Sequence, residues 1–138
     1  MFQRILVPVD LTDKSMAAVD LAYQMAAQSE STVILLHVIE LVEHVAFDEM
    51  KDFYARLEQS AKAGLRECAE RFLVEGMPVE QVVVYGHRTK QIVEYAMQNV
   101  DLVIMASHRI DPDRPGHDWS SISYAVAILS PCPVLLVK

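Results

Sequence analysis

Five short apolar runs punctuate this chain, and none of them alternates with polar residues. They are Ile5-Leu6-Val7-Pro8-Val9, Val33 to Ile39, Val82 to Tyr85, Leu102 to Ala106 and Val134 to Val137. A strand that is apolar on both sides cannot leave either face in water. Such runs therefore read as parallel strands covered by helices above and below. The segments between them carry helical spacing, as in Ala18, Leu21, Ala22 and Met25, or Ile92, Val93, Ala96 and Met97. The longest stripe is Met50, Tyr54, Leu57, Ala61, Leu65, Cys68 and Phe72, which recurs every three or four residues. Gly76 and Pro78 follow it in the order that ends helices. Thr12 or Asp13 is placed to cap the first helix and Thr89 the third. A fourth helix begins near Ser120 or Ser121, and Pro131-Cys132-Pro133 stops it. The pattern predicts an α/β fold: a single three-layer domain over residues 1–138, with a five-stranded parallel sheet and four helices.

The chain's chemistry removes several function classes. Lys plus Arg number 12 against 19 Asp plus Glu, a formal net charge of -7, and no basic cluster offsets it. Nucleic acid and anionic membranes both require phosphate neutralisation, so neither is expected as a partner. No apolar run approaches the ~20 residues of a membrane-crossing helix. Met1-Phe2-Gln3-Arg4 leads straight into the first strand, without the long apolar core of a signal peptide. Cys68 and Cys132 stand far apart and form no metal or redox spacing. They read as two buried, reduced thiols of a cytoplasmic protein.

In parallel sheets of this kind ligands sit beyond the carboxyl ends of the strands, where strand order reverses. That rule directs attention to Pro8-Val9-Asp10, Val38-Ile39, Gly86-His87-Arg88 and Ala106-Ser107-His108. Asp10 can accept hydrogen bonds from a ligand or cap the next helix. Ser120-Ser121-Ile122-Ser123 opens a helix, where free backbone N–H groups and serine hydroxyls suit an anion, or simply an N-cap. The polar segment Ser107 to Trp119 could offer His108, Asp111, Asp113 and His117 to a metal, but the spacing matches no established metal pattern. His108 as a base for Ser107 or Ser121 lacks an assignable orienting carboxylate. His87 and Arg88 could touch a ligand or face water. No catalytic residue and no metal ligand is assigned.

Taken in order, Ile5-Leu6-Val7-Pro8-Val9-Asp10, Leu35-Leu36-His37-Val38, Asp101 to His108, Ser121 to Val126 and Pro131 to Val137 resemble the universal stress protein family. The resemblance runs from Ile5 to Val137. It implies strand order 3-2-1-4-5, an adenine nucleotide alpha hydrolase-like fold, and a cytoplasmic stress-response protein without its own established reaction. Nucleotide-binding members are similar in a pattern of Gly, two residues, Gly, nine residues, then Gly followed by Ser or Thr. By that resemblance Pro8, Val9 and Asp10 border an adenosine, Val38 touches the adenine, and the glycine pattern cradles phosphates.

This chain departs from the pattern at each glycine. Ala106, Arg109 and Ser120 stand at the three positions, and the last interval is one residue longer. Glycine allows positive φ and close backbone approach, which Arg109 does not, although its guanidinium could pair with phosphate. Ser107, His108, Ser121, Ile122 and Ser123 remain as phosphate-side candidates. Trp119 could block the path or stack on a base, and Asp111, Asp113 and Asp118 add negative charge. The reading is a non-enzymatic stress-response homodimer with a weak or vestigial adenine-nucleotide pocket. No cofactor is required by it, and ATP or AMP is the ligand class that the resemblance leaves open. The alternative is an ATP- or AMP-binding regulatory switch. The dimer is expected through the C-terminal edge strand, Val134, Leu135, Leu136 and Val137, whose apolar faces and free edge invite pairing. A further protein partner is left open.

Overall fold

Strand β1 (Arg4–Pro8) runs through the middle of a five-stranded parallel sheet, and Ile5, Leu6 and Val7 have no exposed surface. It pairs with β2 (Thr32–Ile39) on one side and β4 (Leu102–Ala106) on the other. β3 (Val79–Tyr85) and β5 (Val134–Val137) form the edges, giving the order β3-β2-β1-β4-β5. The computed structural model describes residues 1–109, 112–113 and 121–138.

Side-chain alternation along β1 sorts the core into two layers. Ile5 and Val7 join Val33, Leu35 and Ile104 against α1 (Met16–Ser29) and α2 (Lys51–Val74). Leu6 joins Ile34, Leu36 and Val103 on the opposite face, against α3 (Arg88–Ala96) and α4 (Ile122–Leu129). Each fully buried aliphatic side chain contributes about 1.5–3 kcal/mol of transfer free energy, so both layers are needed to hold β1 in place. Asp101 Oδ2 accepts the backbone N–H groups of Gln3 at 2.8 Å and Arg4 at 2.9 Å, which ties the start of β1 to the approach to β4. Those bonds hold the Asp101 carboxyl below its ordinary pKa.

Several boundaries differ from the sequence reading. Val9 lies beyond β1, although its N–H still reaches Leu36 O at 2.9 Å. Thr12 caps a short 3-10 turn, Asp13–Ser15, rather than the helix itself, and α1 starts at Met16. α3 starts at Arg88 with His87 at its N-cap position, and no side chain caps it, so Thr89 lies inside the helix. β3 is three residues longer than its apolar run. Glu80 and Gln81 are polar but lie on an edge strand, where Glu80 pairs with Arg4 at 2.9 Å. Cys132 is half-buried rather than buried, while Cys68 is buried; both are free thiols. Burial, and secondarily Glu67, push the Cys68 thiol pKa up.

The α2 stripe holds for Tyr54, Ala61, Leu65, Cys68 and Phe72, but Leu57 is exposed and Met50 precedes the helix in a 3-10 turn. The helix ends as its glycine indicates. Gly76 has φ +69°, its N–H reaches Leu73 O at 3.1 Å, and Met77 N–H reaches Phe72 O at 2.8 Å. This pair of bonds is a Schellman motif. No helix among the described residues is long and apolar enough to cross a membrane.

Phe72 is fully buried and meets the edge of Tyr23 with ring centroids 5.4 Å apart. Truncating it opens a cavity between α1 and α2. Phe72→Ala should lower urea-unfolding stability by about 3–5 kcal/mol. A loss under about 1 kcal/mol would show that the two helices do not depend on this contact.

Candidate functional site

Chains leaving β1 and β4 turn away from each other, because β1 crosses toward β2 and β4 toward β5. The divergence leaves a cleft at the carboxyl end of the sheet. Its volume is about 230 Å³. Val9, Leu36, Val38, Ile92 and Met105 give it an apolar side. Asp10, Lys14 and Ser15 enter from the turn after β1, and Arg88 from the start of α3. Ser107, His108, Ser121 and Ser123 enter from the end of β4 and the start of α4.

Asp10 both shapes its turn and borders the cleft. Its Oδ1 accepts the Thr12 N–H at 2.9 Å, the Thr12 hydroxyl at 2.6 Å and the Ser15 hydroxyl at 2.6 Å. The first of these is an Asx-turn, in which an Asp side chain binds the backbone two residues on. Oδ2 makes no hydrogen bond among the described residues. Burial raises the Asp10 pKa, but the bonds from Ser15 and Thr12 outweigh it and hold the carboxyl below its ordinary value. Oδ1 therefore carries the turn-capping role of Asp10. His37 supports the same corner: a carbonyl can only accept, so His37 Nδ1 donates to Val9 O at 2.8 Å.

Across the cleft, three serines form a small network. Ser107 and Ser123 Oγ lie 2.8 Å apart, and Ser121 and Ser123 Oγ 3.1 Å apart. Ser121 is the N-cap of α4, and its hydroxyl accepts Tyr124 N–H at 3.4 Å. The first N–H groups of α4 therefore open toward the serine cluster, an arrangement that favours anions. The Tyr124 hydroxyl donates to His108 O and receives Lys138 Nζ at 2.7 Å, and its ring meets the edge of His108 at 5.4 Å. Ser107 is paired with Ser123, which argues for a binding hydroxyl more than for a nucleophile.

The structure brings Pro8, Val9, Asp10, Val38, Ala106, Ser107, His108, Ser121, Ile122 and Ser123 to this one cavity. Arg109 is exposed and does not line it. Ser120 lies outside the described residues, as do Asp111, His117, Asp118 and Trp119. Among the described residues no group of three or more His, Cys, Asp or Glu side chains is arranged to hold a metal.

Lys14, Ser15, Leu36, Ile92 and Met105 were not singled out by sequence reasoning. Leu36 and Met105 look like ordinary strand core, and Ile92 like the buried face of α3. Ser15 could have been found from Asp10, since a carboxylate leaving a strand seeks hydroxyl donors in the next turn.

Fold and cleft together define an open parallel α/β protein with a ligand-sized site where its strand order reverses. The chain belongs to the universal stress protein family, whose family model matches residues 1–138. It is 26% identical over 153 residues to universal stress protein YxiE of Bacillus subtilis (strain 168), covering all of both chains. It is also similar to a universal stress protein solved in complex with cAMP, at 27% identity and a TM-score of 0.75. That likeness covers 99% of this chain and 97% of the other. A third likeness, at 18% identity and a TM-score of 0.69, is to the universal stress protein from Archaeoglobus fulgidus in complex with dAMP. It covers 99% of this chain and 98% of that one and bears on the fold.

The lowered Asp10 pKa fixes the sign of a pH effect. Stability from the ionised Asp10 turn is fully present above the ordinary carboxylate range and is lost as pH falls through the lowered folded-state value. The stability gap between wild type and Asp10→Ala should therefore be largest near neutrality and shrink in acid. Urea titrations at several pH values measure it, and a gap that widens in acid would contradict the assignment.

Proposed function

We propose that this protein is a non-enzymatic stress-response homodimer with a weak adenine-nucleotide pocket, suited to a short phosphate chain such as that of AMP. The observation that carries this reading is the convergence of Asp10, Val38 and the serine-rich start of α4 on one cavity. Val9 and Val38 offer an apolar wall to a base. Asp10 Oδ2 can accept from a ribose hydroxyl or an amino group. Ser107, Ser121 and the N–H groups of α4 can take phosphate oxygens. The relative solved with cAMP supports an adenine ligand for a site on this fold. Ala106, Arg109 and Ser120 at the glycine positions of the family pattern favour a short phosphate chain.

Calorimetry with AMP and ATP tests the ligand, together with a search for adenine nucleotide released on denaturation. Saturable AMP binding, lost in Asp10→Ala, is the expected result. No heat at high protein concentration would exclude both this reading and the next.

One observation favours a nucleotide-dependent switch as a second reading. Arg88 borders the cavity, and its Nε lies 3.9 Å from Glu40 Oε1, while its N–H reaches the same oxygen at 3.4 Å. A phosphate that attracted Arg88 would compete with Glu40, so occupancy would be felt in the β2–α2 connection. ATP binding tighter than AMP binding, with altered exchange of residues 40–50, would support the switch.

The proposed dimer rests on β5, an edge strand that among the described residues pairs with β4 alone. Val134 and Leu136 pack on one core layer and Val137 on the other, whereas Leu135 is exposed. Leu135→Asp places a charge on that edge without entering the core. It should convert a dimer to a monomer in light scattering, and an unchanged dimer would remove β5 from the interface.

A further inference from the structure

A second surface, formed by residues that do not line the cleft, exposes several large apolar side chains. Leu41 is 45% exposed, Val42 43%, Phe47 46% and Phe53 40%, and Val45 and Leu57 are each exposed at 36%. All belong to the β2–α2 connection and the first turns of α2. Single exposed apolar residues are ordinary, but a contiguous group marks an interaction site.

Contiguity here comes from Tyr54, which is buried and acts as a hub. Its hydroxyl accepts the Val42 N–H at 2.7 Å. The Phe47 ring stacks on it at 5.1 Å, and Phe53 leans on it at 5.6 Å. Leu57 follows Phe53 by one helical turn, on the same face. Tyr85 closes the other side of the hub, meeting Phe47 at 5.8 Å and Tyr54 at 6.0 Å. The exposed rings are therefore held in fixed positions, which lowers the ordering cost of binding.

We propose that this surface docks a short, cationic amphipathic helix of a partner protein. Two observations identify the occupant. The first is charge: of the six carboxylates in residues 40–58, Glu40 is paired with Arg88 and Glu58 with Lys62, which leaves the exposed Glu43, Asp48, Glu49 and Asp52 against two cations, Lys51 and Arg56. An apolar patch with an acidic rim is complementary to an apolar stripe flanked by Lys or Arg. The same rim would face itself across a second copy of this chain, and it repels an anionic bilayer. The second is area. At ~150–250 Å² per aromatic side chain, the two phenylalanines expose roughly 150–200 Å² together. With the four aliphatic residues the patch stays well below the ~800 Å² per partner of a standard interface between folded proteins. That size suits one helix.

The test uses a fluorescein-labelled 15-residue peptide with leucine on one helical face and lysine on the other, read by anisotropy at 150 mM salt. Saturable binding is expected. Phe53→Ser combined with Leu57→Ser should weaken it at least tenfold without changing the circular dichroism spectrum. Phe47→Ser should weaken it similarly, and the helix-face pair carries the test if Phe47→Ser loosens the connection. A peptide with glutamate in place of lysine should not bind. The proposal is overturned if the variants bind as well as wild type, because the attraction would then be charge alone. It is also overturned if Phe53→Ser alters the oligomeric state, which makes the patch a self-interface. Co-sedimentation with anionic phosphatidylserine vesicles in preference to the peptide would assign the surface to a membrane instead.

Discussion

Everything in this molecule follows from the impossibility of exposing β1. Ile5, Leu6 and Val7 are sealed on both faces, so helices must cover the sheet above and below. The chain can satisfy that only by crossing right-handedly to one side for the first half and to the other for the second. The reversal happens beside β1, and the gap between its two departing connections is the cleft. A site at this position is thus a by-product of burying the first apolar run, before any residue in it is chosen for chemistry.

The corner where β1 ends shows how packing constrains that site. Leu11 takes a left-handed conformation, φ +65°, which is uncommon for a leucine. Two contacts hold it there. The Asp10 carboxylate captures Thr12 and Ser15 on one side. On the other, Leu11 lies over Gly64 of α2, where an added Cβ would come within 2.9 Å of its side chain. Gly64 costs α2 some helical propensity, and in return the turn can lie flat on the helix. Asp10, which borders the cleft, thereby sits in a turn held by a contact from α2.

Legibility in the sequence tracked burial. Doubly buried β1, β2 and β4 are readable because burying an unpaired polar side chain is costly, so their interiors are apolar apart from His37, which is bonded to Val9 O. The start of β3 is not legible in its apolar run, because an edge strand tolerates Glu80 and Gln81. Helix starts were read from side-chain caps, which failed at α3, where His87 occupies the position without capping. In the site, Asp10, Val38 and the serines were visible as polar or terminal residues near strand ends. Lys14 is not singled out by the sequence and Arg88 is left between ligand and water, because whether a long cation reaches a cleft depends on tertiary placement of its backbone. Arg109 shows the converse: its place in a motif put it at the cleft, yet the chain carries it to the surface.

Charge illustrates why a whole-chain count misdirects. At -7 the protein as a whole repels anions. Its carboxylates are unevenly spread, and residues 40–58 carry six of them against two cations, a local surplus of four. The cleft has a different balance, with Lys14 and Arg88 against Asp10. Over distances beyond a Debye length of about 8 Å the acidic total is largely screened. A phosphate at the cleft would then respond to two nearby cations and the start of α4, while a cationic helix would respond to the acidic rim at the β2–α2 connection. One acidic chain can in this way offer surfaces of opposite preference, joined by the Arg88–Glu40 contact that links their borders.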